Sequence, residues 1–97
     1  MPGQLEWAAE IKPRVGADFD RVAKAFEATA AKQTGPDRED TLAVLAILAE
    51  KRAEVMAIDQ AGYFIRDWQE LGDQVRQMIA QDPRFKAIQV NRTARRQ

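Results

Sequence analysis

Residues 37–82 read DREDTLAVLAILAEKRAEVMAIDQAGYFIRDWQELGDQVRQMIAQD, and this stretch decides the fold class. It contains no proline, and helix punctuation bounds it: Thr34-Gly35-Pro36 before it, with Thr34 placed to cap, and Asp82-Pro83 at its end. Its only glycines are Gly62 and Gly72, and its apolar residues recur with helical period throughout. Leu42, Leu45, Leu48, Val55 and Met56 share one face, which Val44 and Ala49 widen. Leu42 to Ala49 is apolar almost all round, the pattern of a helix contacted on more than one side. Further on, Phe64, Trp68, Leu71, Val75 and Met78 form a second stripe, with Ala61, Gly72 and Ile79 on the same side. Carried through at about 100° per residue, the two stripes point in clearly different directions. A turn at Asp59-Gln60-Ala61-Gly62 resolves the conflict, with Asp59 as cap and Gly62 as turn residue. The alternative is one long bent helix from about 37 to 82, packed in a homodimer.

Upstream, Leu5, Ala8 and Ile11 space a short helix over residues 4–11, which Pro13 ends. Pro13-Arg14-Val15-Gly16 then reads as a connector. From Asp18, the residues Phe19, Val22, Phe26 and Ala30 mark an amphipathic helix closed by Gly35-Pro36. Downstream, Asp82-Pro83 starts one or two turns over residues 84–90, and residues 91–97 are too polar to pack. The expected fold is all-α: a small up-down-up helical bundle of three main helices with a short N-terminal helix. Residues 1–90 form its single helical domain, and 91–97 a basic, flexible tail.

Composition narrows the function. Ninety-seven residues, 45% hydrophobic and 31% charged, suit one globular domain, but much of the apolar share is alanine and the core is thin. There is no cysteine, histidine or serine. Disulfides, thiolate or imidazole metal ligands and the usual nucleophile–base pairs are therefore excluded. The start has no signal-peptide pattern, and the longest apolar run is far shorter than the roughly 20 residues that span a bilayer, so the expected location is cytoplasmic, with no membrane partner. Glu50 and Glu54, and Asp67 and Glu70, pair carboxylates on helix faces, but no histidine completes a metal site and a small bundle offers no cleft. The glycines are scattered singly and form no phosphate loop. The chain reads as no enzyme, without cofactor or metal.

Two surfaces remain as binding candidates. The apolar stripe of Phe64, Trp68, Leu71, Val75 and Met78, with Tyr63 beside it, is expected to stay partly open and receive a protein partner or a second copy. The five basic residues after Pro83 (Arg84, Lys86, Arg92, Arg95 and Arg96) have no acidic residue among them and leave ten basic against fifteen acidic residues in 1–83. They are the candidate contact for a polyanion such as nucleic acid. Three residues do not fit the helical pattern. Arg52 interrupts an apolar face, either snorkelling at its edge or forming an interfacial ion pair with an acidic residue of another helix or subunit. Tyr63 sits off its stripe, on the polar side. Gly72 lies within the stripe, where another helix is expected to approach closely. The leading expectation is a protein–protein interaction or assembly protein: an accessory subunit, adaptor or phage-type structural component. The runner-up is a nucleic-acid-associated protein using the arginine-rich tail.

Overall fold

The computed structural model describes residues 4–59, 61–68 and 71–96, with side chains over 10–59, 63, 64, 66–68 and 73–96. Among the described residues the secondary structure is helical and contains no strand: α1 (Gln4–Ala31), α2 (Gly35–Met56), α3 (Ala61–Asp67), α4 (Leu71–Ala80) and α5 (Pro83–Arg96). The molecule is elongated, 56 × 23 × 20 Å, with a radius of gyration of 15.7 Å. A compact domain of this length has a radius near 12.5 Å. The reason is α1, whose 28 residues extend about 42 Å at 1.5 Å per residue.

α1 corrects the expectation of a short helix and a connector. Ile11 and Val15 continue the Phe19, Val22, Phe26, Ala30 stripe at four-residue steps, so the segments on either side of Pro13 are in phase on one helix. Proline removes one backbone hydrogen bond and crowds the preceding turn. Its ring is exposed, on the side away from the buried Val15 and Phe19, where water can serve the orphaned carbonyl. Burial of the extended stripe outweighs the defect.

α2 turns back along α1 as an antiparallel partner: Gly16 lies against Met56, Asp20 against Arg52, and Gln33 against Thr41. At the turn Thr34 is extended, without a side-chain cap bond, and Gly35 takes a φ of 60°, which favours glycine. α2 ends at Met56, where the Ala57 N–H bonds the Ala53 carbonyl and Ile58 N–H the Val55 carbonyl, both at 3.1 Å. No single helix therefore runs over 37–82; the break begins at Ala57, earlier than the turn expected at residues 59–62, and Gly62 is a residue of α3 rather than of the turn, while Gln60 lies outside the described residues. Lys12 anchors the turn from α1, donating to the Ile58 carbonyl at 3.1 Å with its ammonium 5.5 Å from the centre of the Phe64 ring.

The expected third long helix is two short ones, α3 and α4, both packed on α1. The Gln74 side-chain amide donates to the Asp67 carbonyl, satisfying the end of α3 from across the break. Asp82 caps α5, its Oδ1 accepting the Arg84 N–H at 2.8 Å, and Pro83 is the first helical residue. α5 runs through Arg96, so residues 91–96 are helical rather than frayed. It packs on α2 and α4. The core is one cluster built around Val15, Phe19, Leu48, Phe64, Trp68 and Val75, with contributions from α1, α2, the α3 segment and α4.

Candidate functional site

Among its described residues, the stripe expected to stay open is turned into the core. Phe64, Trp68 and Val75 are buried, Tyr63 and Met78 are half-buried at the edge, and the Leu71 side chain lies outside the described residues. The expectation supposed that the α1 and α2 stripes satisfy each other first. Instead the lengthened α1 serves α2, α3 and α4 together, and its Phe19 ring meets Trp68 at 5.7 Å. Tyr63 leaves its stripe for a specific reason: its Oη accepts the Trp68 indole N–H at 3.1 Å, giving that buried donor a partner. Its ring also stands edge-on to Phe64 at 5.1 Å. Arg52 takes the second of its two readings, an ion pair with Asp20 of α1 at 3.1 Å. The close approach foreseen at Gly72 lies outside the described side chains; the glycine that a neighbour does approach is Gly16.

The five basic residues divide. Arg84 donates to Glu50 at 2.6 Å and to Asp82 at 3.0 Å, and Lys51 meets Asp82 at 2.9 Å. Arg84 and then Lys51 hold the Asp82 carboxyl well below the usual carboxylate range, overriding its desolvation. The same pairs raise the Arg84 pKa, through Asp82 first and Glu50 second. At the other end of α5, Arg95 donates to Asp40 and, at 3.4 Å, to Asp37, and these raise its pKa, Asp40 first. Arg92 donates to the Asp37 carbonyl at 3.2 Å, reaches the Thr41 hydroxyl at 3.5 Å and pairs with the Asp40 and Asp37 carboxylates at 3.7 and 3.9 Å. Lys86 and Arg96 have no ion pair among the described residues. Three of the five cations are thus matched to the chain's own acids, which counts against a ready-made polyanion site. A sequence signal for this existed: Asp37 and Asp40, like Arg92 and Arg95, stand three residues apart on one helix face.

What stays open is the outer side of α2. Leu42 is 46% exposed, Ala46 and Ala49 are exposed, and Leu45 is half-buried. This explains why residues 42–49 are apolar all round while α2 has α1 on one side and α5 on another. Between α1 and α2 runs a groove of about 210 Å³, floored by Phe19 and Leu48, walled by Ala23, Leu45 and Ala49, and edged by Asp20, Glu27 and Arg52. A second apolar residue, Val90, is 67% exposed on the outer face of α5. Such a surface can hold a side chain or a helix by shape and apolar contact. Among the described residues no group of three or more acidic side chains is gathered to hold a metal ion. No described helix is long and apolar enough to cross a membrane.

Comparison with known protein families, with characterised proteins and with solved structures finds no match to this chain.

Proposed function

We propose that the chain is a non-enzymatic protein–protein interaction or assembly module that works through the open apolar side of the α1–α2 pair. The observation that supports this reading is the continuity of exposed Leu42 and half-buried Leu45 with the α1–α2 groove, whose apolar floor has charged residues only at its edge. An apolar centre with a polar rim is the anatomy of a contact surface. The partner is a helix, from another protein or from a second copy, laid along the groove.

Sedimentation of wild type and Leu42→Glu tests the reading, with circular dichroism alongside. Leu42 is nearly half exposed, so the substitution leaves helicity unchanged. The expected result is a wild-type species heavier than the 11.0 kDa single chain, or a defined complex, that Leu42→Glu abolishes. A wild-type chain that stays a monomer at high concentration, and yields no partner whose recovery depends on Leu42, would overturn it.

A further inference from the structure

α5 is held to the molecule differently from the other helices. It has no buried residue, and its apolar contacts with the core are the half-buried Phe85 and Ile88. Its ion pairs and side-chain hydrogen bonds gather at its two ends. The ends are unequal. Near the start, Asp82 is only 6% exposed and pairs with both Lys51 and Arg84, a setting that salt screens poorly. At the far end the four pairs of Arg92 and Arg95 with Asp37 and Asp40 join side chains 18–48% exposed, none as buried as the pair of Lys51 with Asp82, so they are more open to screening than that anchor.

Neither side of the far contact needs the other. Asp37 lies in the first turn of α2 and Arg95 in the last turn of α5, where each is stabilised by its own helix dipole. Separation therefore strands no charge in an apolar site.

We propose that α5 is a salt-latched strap, hinged at Gln81-Asp82, that lifts from α2 at its C-terminal end while α1–α4 stay folded. Lifting frees Arg92 and Arg95 from Asp37 and Asp40. It also bares Thr41, which is buried in the closed form and bonded there to Gln33 and Arg92, together with the part of the core on which Ile88 rests. In the closed molecule both arginines are engaged by Asp37 and Asp40, and Thr41 is covered. Once detached, a helix of 14 residues is marginal in water and loses much of its helicity.

Hydrogen–deuterium exchange on the full chain, followed by peptide at about 50 mM and about 1 M NaCl, tests this. Peptides within residues 85–96 should exchange severalfold faster at high salt, while those covering Val15–Val22 keep their protection. Arg92→Gln with Arg95→Gln should reproduce the effect at low salt. So should Asp37→Asn with Asp40→Asn, and the four changes together should add nothing to either pair. Arg96→Gln removes the same charge from a residue with no ion pair and should change nothing. The strap is rejected if α5 exchanges in step with α1 at both ionic strengths, if the pair substitutions leave α5 unaffected or deprotect α1 equally, or if Arg96→Gln has the same effect.

Discussion

Gly16 shows how little of a contact is legible at a single residue. In the sequence it belongs to a Pro-Arg-Val-Gly connector; in the structure it is a buried helical residue where α2 comes close to α1. A Cβ there would meet Met56 Cε at 3.2 Å and Arg52 Nη2 at 3.3 Å, both ends of flexible side chains. Alanine gains about 1 kcal/mol of helix propensity over glycine and asks those ends to move only slightly. Gly16→Ala should therefore be neutral or mildly stabilising in urea titration, whereas Gly16→Leu should cost about 1–3 kcal/mol by overpacking. Equal effects of the two would refute close packing at this point. Asp82 is the other residue whose role depends on its neighbours. Its folded pKa is depressed by Arg84 and Lys51. The stability it contributes is therefore complete above the ordinary carboxylate value of about 4 and is lost as pH falls through the folded value. Asp82→Asn should lower the urea midpoint at pH 7 and reduce the further loss on going to pH 3. A variant with the wild-type acid response would show that Asp82 does not carry it.

At the scale of elements, the least expected result is that α1 passes through Pro13. Local rules end a helix at the residue before proline, and they were right about the local cost. They could not weigh it against the burial of Ile11 and Val15, which depends on α2 and α3 lying alongside. Because the proline ring is exposed, Pro13→Ala loses no packing and restores a backbone donor. It should raise stability by up to about 3 kcal/mol, the penalty of proline inside a helix, seen as a higher melting temperature. A lower one would mean that the proline sets a bend on which the packing depends. The division of residues 61–79 into α3 and α4 was equally hidden. Phe64, Trp68 and Val75 keep helical spacing across the break and all reach the core. The start of α5 was readable, since Asp82-Pro83 is a local device: a cap followed by a residue that needs no donor.

At the scale of the molecule, stability rests on a thin core in which a few large side chains do most of the filling. Trp68 is the largest of the fully buried residues, packed on Phe19 and bonded to Tyr63. Trp68→Ala should cost about 3–5 kcal/mol, a large part of the 5–15 kcal/mol typical of a domain. Chemical denaturation should show a midpoint shifted far down, or no folded baseline at all. An unchanged midpoint would place the indole outside the core. The same thin core accounts for the open side of α2: α1 and the helices packed on it do not have the surface to cover every apolar face, so Leu42 and its neighbours remain exposed.

Composition and periodicity by themselves determined that this chain is helical and that cysteine, histidine and serine chemistry is absent, while the change of stripe direction left a turn near residues 59–62 and a bend in one long helix both open. Those are consequences of residue type and local spacing, which act within a few turns of backbone. Tertiary structure alone decided which stripe is buried, that α1 bridges its proline, and that most of the C-terminal charge is spent on the chain's own acids. Each of these is a choice among partners far apart in sequence: Arg95 with Asp37 and Asp40, Phe19 with Trp68, Gly16 with Met56. Helical periodicity says that a face seeks a partner, but the free energies that select one partner over another arise only when the helices are assembled.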